Sequence, residues 1–181
     1  MRRRQVGTSG LQVSRIGLGT MTWGDDTDLE AATDQLVTFV DAGGSLVETC
    51  DAYADGAAQE ILGEVMTDSV PREDVVISAR GGLPGGASGD LGARGALLDA
   101  LDALLRRLRV DHVDLWQLPG WDAAVPLEET LSAVQVAVMS GKADVVHGFR
   151  NKLQAAASHV LPEKVTAEMH RGMAEPGSGR Q

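Results

Sequence analysis

The residues best suited to chemistry lie in the stretch 45–63. An apolar run of strand length, Leu46-Val47, leads into Glu48, and Tyr53 lies on the next loop, before the turn at Asp55-Gly56. An acid at the end of a strand with a tyrosine on the following loop is typical of an active site built on a βα unit. Tyr53 is the only tyrosine in the chain, so any phenol chemistry must use it.

Composition places the chain among single-domain globular proteins. It has 181 residues, 43% of them hydrophobic, and a formal net charge of −10. This length and composition suit one domain with its own core. The acidic balance argues against nucleic acid or an anionic membrane as partner, because clustered Lys and Arg bind such surfaces. The one basic cluster is Arg2-Arg3-Arg4, which suits a solvated terminus.

Cysteine usage and hydropathy predict a cytoplasmic location. Cys50 is the only cysteine, which excludes an internal disulfide, fits a reducing compartment and suits a small core residue. No apolar run approaches the roughly 20 residues that span a bilayer. The charged N-terminus is not followed by the apolar segment of a secretory signal peptide. The four histidines lack the spacing of metal ligands, so we expect no metal site.

A hairpin pattern opens the chain, and strand and helix patterns alternate after it. The hairpin is predicted at 5–14, with Gly7-Thr-Ser-Gly10 as its turn. Strand-like apolar runs then alternate with segments whose apolar residues recur at helical spacing. The predicted strands lie at 15–20, 46–48, 74–80, 111–118 and 143–149, and the predicted helices at 29–40, 57–66, 97–108, 127–138 and 151–160.

About five βα units with a period of roughly 30 residues predict an α/β fold with a parallel sheet. The spacing by itself fits an open doubly wound sheet and part of a barrel equally well. We expect one domain at 1–162 and a poorly ordered tail at 163–181, where the pattern fades. The apolar face predicted for the fourth helix consists of Leu127, Leu131, Val134 and Val138.

Several blocks of the sequence resemble the aldo-keto reductase family. The stretch from Glu48 to Gly63 is similar to the family text Asp-Thr-Ala-Asp-x-Tyr-Gly-x-Gly-x-Ser-Glu-x-x-Leu-Gly, although Ala58-Gln59 replaces its Ser-Glu pair. Blocks 17–24, 104–115 and 126–142 resemble further parts of the family pattern, and the resemblance covers roughly residues 4 to 155. It implies a partial TIM (β/α)8-type barrel of about five parallel βα units, preceded by the N-terminal β-hairpin.

The resemblance also implies an oxidoreductase that reduces aldehydes and ketones with NADPH and a tyrosine acid. Tyr53 matches the catalytic tyrosine, Glu48 the aspartate, Arg80 the lysine and Pro119 the histidine of the family. Arg80 keeps the positive charge but is permanently protonated, and its guanidinium fits a bidentate pair with Glu48. Pro119 has no donor to orient a carbonyl, and losing one oriented donor typically lowers the rate by about 10²–10³. We therefore expect impaired activity.

The cofactor residues that the resemblance implies are Gly19, Thr20 and Met21, in the first strand and its loop, and Asn151. In the family, much of the NADPH site comes from strands six to eight, and a complete (β/α)8 barrel has about 250 residues. The predicted units contain no counterpart of those strands. Because an unclosed sheet has open edges and an unfilled inner face, we expect marginal stability, self-association or a partner chain that completes the barrel.

Two functions stay open at this point. One is an enzyme that reduces small carbonyl compounds, with Tyr53 as the acid and with Glu48 and Arg80 supporting it. The alternative is a non-catalytic, truncated relative, either a pseudoenzyme or an interaction subunit, since the family includes channel-associated subunits. Glu48 and Arg80 would then be a purely structural ion pair and Tyr53 a packing residue. The three tryptophans suit a substrate mouth and plain packing equally well: Trp23, Trp116 and Trp121.

Overall fold

A computed structural model describes residues 1–81, 92–118 and 124–143 of the chain. Met1–Gln5 and the described residues of Leu11–Val145 form one compact unit, which contains all the strands and helices given below. Val6–Gly10 belongs to a second unit. The predicted fifth strand beyond Ala143, the predicted helix at 151–160 and the predicted tail lie outside the described residues.

The N-terminal hairpin is confirmed. β1 (Arg3–Gln5) pairs antiparallel with β2 (Gln12–Ser14). The Ser14 hydroxyl accepts hydrogen bonds from the backbone N–H groups of Ser45 at 3.0 Å and Leu46 at 3.1 Å. The Ser45 hydroxyl in turn accepts from the Ser14 N–H at 3.1 Å. These bonds satisfy backbone donors that the sheet would otherwise leave unpaired, and they fix the hairpin to the core strand that begins at Leu46.

Four parallel strands form the central sheet, in the order in which they occur along the chain. The strands are β3 (Gly17–Gly19), β4 (Leu46–Cys50), β5 (Val76–Arg80) and β6 (Leu115–Gln117). The helices are α1 (Leu29–Asp41), α2 (Ala57–Asp68), α3 (Arg94–Leu108) and α4 (Leu127–Met139). A doubly wound sheet reverses its strand order at a switch point, whereas a (β/α)8 barrel does not. The partial barrel is therefore confirmed over the described residues.

The hydrophobic core lies between the sheet and the helices. On β4 and β5, Val47, Ile77 and Ala79 are fully buried and belong to one cluster with the helical leucines. The fully buried leucines of that cluster are Leu36, Leu62, Leu101, Leu104 and Leu108. Because side chains alternate along a strand, the residues between these core positions lie on the opposite face of the sheet. That opposite face carries Glu48 and Arg80.

Several predicted strand boundaries were wrong. β4 continues to Cys50, so Glu48 lies in the middle of the strand and not at its end. β5 begins at Val76 because Arg72–Asp74 forms a short 3-10 turn. β6 is only three residues long, and the Asp114 carboxylate before it accepts a hydrogen bond from the Ile77 N–H at 2.8 Å. A side chain thus replaces a backbone ladder bond at this point.

The apolar face predicted for α4 was wrong for its two leucines, although Val134 and Val138 of the same face are half-buried. Leu127 and Leu131 are 54% and 56% exposed, whereas Ala133 and Ala137 are fully buried. Ala133 and Ala137 are one helical turn apart and so lie on the same face of α4. Small side chains let two helices approach closely, which explains why the alanines and not the longer leucines face the core.

Candidate active site

Parallel pairing of β4 and β5 brings Glu48 and Arg80 to the same face of the sheet. In the register, Glu48 lies opposite Ser78 and Cys50 lies opposite Arg80. Residues two apart on a strand share a face, so Glu48 and Arg80 are diagonal neighbours. Tyr53 follows β4 on a short 3-10 turn that leads into α2.

The three side chains meet through one nitrogen of the guanidinium. Arg80 Nη2 donates to Glu48 Oε1 at 2.9 Å and to Tyr53 Oη at 3.0 Å. Tyr53 Oη lies 3.3 Å from each oxygen of the Glu48 carboxylate and donates to it. The ion pair is monodentate, in contrast to the expected bidentate pair, and the second contact of Nη2 goes to the phenol. Arg80 therefore contacts Tyr53 directly and is not occupied by Glu48 alone.

The environment of Tyr53 raises the pKa of its phenol. Burial is the largest cause, because it disfavours the charged phenolate, and the negative charge of Glu48 adds to it. The positive charge of Arg80 acts in the opposite direction but does not reverse the shift. The hydrogen bond to Glu48 is the main reason why the pKa of Arg80 is raised as well. The phenol is thus fully protonated at neutral pH and is a weaker acid than free tyrosine.

The Glu48–Arg80 pair is open to solvent. The side chains of Arg80 and Glu48 are 39% and 29% exposed, so water screens much of their attraction. Such a pair contributes little to stability, typically about 0.2–1 kcal/mol. A mainly structural purpose is therefore poorly supported by its energetics. The exposure also means that a small molecule can reach the group without displacing core residues.

Cys50 is a buried thiol on the same face of the sheet as Glu48, since it lies two residues further along β4 and opposite Arg80. Its side chain is fully buried, and burial is the main reason why its pKa is raised. A raised pKa keeps the group as a thiol, which is a poor nucleophile. The structure therefore agrees with the expected packing role.

The cofactor residues implied by the resemblance differ in what they offer. Gly19 lies opposite Glu48 in the register, and a Cβ there would meet only the Glu48 carboxylate, at 3.8 Å. Met21 is 65% exposed. Thr20 is fully buried, and its hydroxyl donates to Thr49 Oγ1 at 2.9 Å, so it is used within the core. Asn151 and Pro119 lie outside the described residues.

Two neighbouring polar residues were missed by sequence reasoning. Gln117 lies opposite Arg80 on β6, and its amide donates to Ser78 Oγ at 2.6 Å. Both side chains are on the same sheet face as Glu48. The signal that could have found them is the two-residue period of the strands, once the register between β5 and β6 is known.

Two of the three tryptophans lie in the described part of the chain, and both pack against other residues. Trp23 is fully buried, and its indole N–H donates to Gln35 Oε1 at 2.9 Å. Trp116 packs against the core, and its indole nitrogen is buried without a hydrogen-bond partner within the described residues. Trp121 lies outside them. Trp23 and Trp116 are therefore packing residues.

The fold agrees with comparison to known proteins. A model of the aldo/keto reductase family matches residues 15–152. The chain therefore belongs to the aldo-keto reductase family, a family of oxidoreductases. The resemblance read from the sequence is confirmed.

Individual relatives include a channel subunit and reductases. A probable voltage-gated potassium channel subunit beta of Oryza sativa subsp. japonica is 34% identical over 146 residues, which are 79% of this chain and 44% of that protein. The 6-dehydroglucose reductase of Novosphingobium aromaticivorans is 34% identical over 176 residues, 90% of this chain and 56% of that protein. The aldo-keto reductase YhdN of Bacillus subtilis is 29% identical over 150 residues, which are 78% of this chain and 45% of that protein. The chain spans about half the length of these relatives.

The described residues lack two further features. Within 1–81, 92–118 and 124–143, no helix combines the length and the apolar character needed to cross a membrane. The same residues contain no cluster of three or more His, Cys, Asp or Glu side chains arranged to hold a metal ion.

Proposed function

We propose that this chain carries a carbonyl-reduction site in which Tyr53 gives its proton to the oxygen of an aldehyde or ketone. The observation that carries the proposal is the convergence of three side chains. Tyr53 Oη lies 3.0 Å from Arg80 Nη2 and 3.3 Å from both oxygens of Glu48. The phenol is thus held between a permanent cation and an acid at a solvent-accessible position.

Each residue has a distinct task in this proposal. Tyr53 holds the proton at Oη and releases it as charge develops on the carbonyl oxygen. Arg80 stabilises the phenolate that forms, since its Nη2 already donates to the same oxygen. Glu48 holds Arg80 in place through the 2.9 Å bond. Because arginine stays protonated, Arg80 stabilises charge but does not relay the proton.

The cofactor proposed from the family resemblance is NADPH, which supplies the hydride when bound. Gly19 offers an open position beside Glu48, and Met21, two residues further along the chain, offers an exposed apolar side chain. Such a surface would suit the flat face of a nicotinamide. Thr20 does not fit a cofactor role, because its hydroxyl is bonded inside the core. Asn151 stays a proposed ligand from the sequence alone.

We propose that turnover is slow, for two reasons. The raised pKa of Tyr53 makes the phenol a poorer acid, and Pro119 supplies no donor at the position that matches the family histidine. Loss of one oriented donor lowers the rate by about 10²–10³. Pro119→His should therefore raise kcat. Arg80→Lys should raise it further, because the compact ammonium of lysine concentrates its charge beside the phenolate.

The test is a binding measurement followed by a turnover measurement. NADPH should quench tryptophan fluorescence, and a generic small aldehyde should then cause loss of NADPH absorbance. Tyr53→Phe should keep the quench and abolish the turnover, because it removes only the hydroxyl. No quench at millimolar NADPH, or equal turnover in Tyr53→Phe, would overturn the proposal.

The second candidate is a non-catalytic interaction subunit, a pseudoenzyme of this family. It is favoured by the similarity to the channel beta subunits named for rice and for Arabidopsis thaliana, the latter 32% identical over 144 residues. The proposed partner is a second protein chain, either a copy of this one or one that completes the barrel. Sedimentation equilibrium at micromolar concentration tests this. A stable monomer with no NADPH-dependent change would contradict it.

A further inference from the structure

The loop that carries Tyr53 has an unusual backbone. Ala54, Asp55 and Gly56 are consecutive and all have positive φ values, of 48°, 52° and 94°. For alanine and aspartate this left-handed region is disfavoured, because Cβ crowds the backbone. Such residues persist only where the surrounding structure over-determines their conformation. Something outside the loop must therefore hold it.

The guanidinium of Arg107 is the group that lies against this loop from the helical side. A Cβ added at Gly56 would lie 2.8 Å from Arg107 Cζ and Nε, so the guanidinium occupies the space that a side chain at 56 would need. Gly56 is buried. The contact therefore depends on both the missing side chain of Gly56 and the reach of Arg107 from the end of α3.

Arg107 also holds the first turn of the helix that follows the loop. Its Nη1 donates to Gln59 Oε1 at 3.3 Å, and Gln59 is fully buried. One side chain thus touches the last residue of the loop and a residue in the first turn of α2. On the other side, Ala54 and Ala57 approach Gly24, where a Cβ would meet their Cβ atoms at 3.2 Å and 2.9 Å.

We propose that Arg107 is a positioning residue that acts through the loop 53–56 to aim Tyr53 Oη at Arg80 and Glu48. Without the guanidinium, the left-handed residues lose a support and relax. Tyr53 then leaves the point where Arg80 Nη2 and both Glu48 oxygens meet. The proposal rests on the proposed function for its catalytic consequence, but the placement of Tyr53 is measurable without turnover.

Gln59 offers a way to strengthen the same contact. Its Nε2 is buried and has no hydrogen-bond partner within the described residues. A carboxylate at this position would accept from Arg107 without leaving a donor unpaired. It would also lie in the first turn of α2, where negative charge is favoured. Gln59→Glu should therefore hold the loop more firmly than the natural residue does.

The experiment uses the single tyrosine as a reporter. The full chain is prepared with 13C at the tyrosine Cζ, which gives one signal, and its chemical shift is followed through a pH titration. Arg107→Met should move the phenol pKa of Tyr53 from its raised value toward about 10, the value of a free tyrosine. If the chain turns over carbonyl substrate, kcat should fall by about tenfold to a hundredfold, with KM changed less than twofold.

Arg106→Met is the matched control. Arg106 is the neighbouring arginine and is exposed, and its Nε donates to the Asp102 carbonyl oxygen of its own helix. It should leave the Tyr53 signal and kcat as they are. Gln59→Glu should slow hydrogen exchange of the 54–57 amides relative to wild type. A Tyr53 titration in Arg107→Met that matches wild type would overturn the proposal.

Two cases need a separate measurement: a variant that does not fold, and a wild-type chain without turnover. If Arg107→Met does not fold, Arg107→Lys keeps the positive charge but removes the planar guanidinium that fills the space at Gly56, and the same pKa shift in the same direction is expected; an unchanged titration there overturns the proposal. If the wild type shows no turnover, the proposed function fails while the Tyr53 titration still decides the role of Arg107.

Discussion

The two faces of the parallel sheet are built by different means. The face toward the helices holds Val47, Ile77 and Ala79, fully buried among leucines. The opposite face holds Glu48 and Arg80, which are 29% and 39% exposed and are joined to Tyr53 by hydrogen bonds. Burial of apolar surface stabilises the first face, while the ion pair on the second contributes little stability and belongs to the proposed site. Changes on the two faces should therefore separate stability from function.

The largest effect is expected in the helix-facing core. Leu101→Ala removes a fully buried side chain of α3 and should lower the free energy of unfolding by about 2–5 kcal/mol, because it leaves a cavity. Urea unfolding followed by circular dichroism measures this. Leu131→Ala is the matched control, since Leu131 is 56% exposed, and it should change stability by about 0.5 kcal/mol or less. Equal losses in the two variants would contradict the core described above.

A smaller loss is expected where a side chain replaces a sheet hydrogen bond. Asp114 accepts from the Ile77 N–H at 2.8 Å and from Arg72 Nη2 at 2.6 Å. Asp114→Ala leaves the Ile77 N–H unpaired, while Arg72 Nη2 keeps its 3.3 Å bond to the His112 carbonyl oxygen. The free energy of unfolding should fall by about 1–3 kcal/mol. Asp102→Ala breaks an exposed pair with Lys142 at 2.7 Å and should cost about 1 kcal/mol or less. Urea unfolding of the two variants tests this, and Asp114→Ala should show the larger loss of unfolding free energy.

Two glycines in helices should respond in opposite directions. A Cβ at Gly63 of α2 would lie 2.6 Å from the Arg107 carbonyl oxygen, whereas one at Gly95 of α3 would meet nothing within 4 Å. Gly63→Ala should lower stability by about 1–3 kcal/mol, because α2 and α3 must move apart. Gly95→Ala should raise it by up to about 1 kcal/mol through helix propensity. A gain in thermal midpoint for both would show that the helices do not pack so closely.

The raised pKa of Tyr53 should make the free energy of unfolding depend on pH in the alkaline range. Because the phenol pKa of Tyr53 is raised on folding, the folded chain holds this proton more tightly than the unfolded chain. The stabilisation is present below about pH 10 and is lost as pH rises through the folded pKa. Tyr53→Phe should remove this part of the alkaline decrease in unfolding free energy. An identical alkaline slope in both proteins would contradict the shift.

The sequence predicted the helix-facing side of the fold well, and the reason is physical. Apolar spacing and capping residues act locally, and the predicted start of α1 is confirmed because the Asp28 carboxylate caps the Ala31 N–H at 2.9 Å. The alternation of units predicted a parallel sheet, and the family resemblance selected the barrel. The error on α4 arose because the exposed leucines, Leu127 and Leu131, and the buried alanines, Ala133 and Ala137, each recur at the same four-residue spacing. Periodicity does not say which of two apolar stripes a neighbouring helix can approach.

The site was predicted in its membership but not in its geometry. The spacing of the residues predicted Glu48 and Tyr53, and the family resemblance predicted Arg80. Neither showed that one nitrogen of the Arg80 guanidinium donates to both Glu48 and Tyr53. That detail depends on the register of β4 with β5. The contact of Arg107 with Gly56 joins residues 51 positions apart in the chain, so no local pattern could reveal it.

The most direct test of the account is an ultraviolet titration of the single tyrosine in wild type, Arg80→Met and Glu48→Gln. Wild-type Tyr53 should titrate above about 10, the ordinary value for tyrosine. Arg80→Met should raise the pKa further, because it removes the cation that lowers it, and Glu48→Gln should lower it, because it removes the anion that raises it. A tyrosine that titrates near 10 in all three proteins would contradict the claim that these side chains form one site.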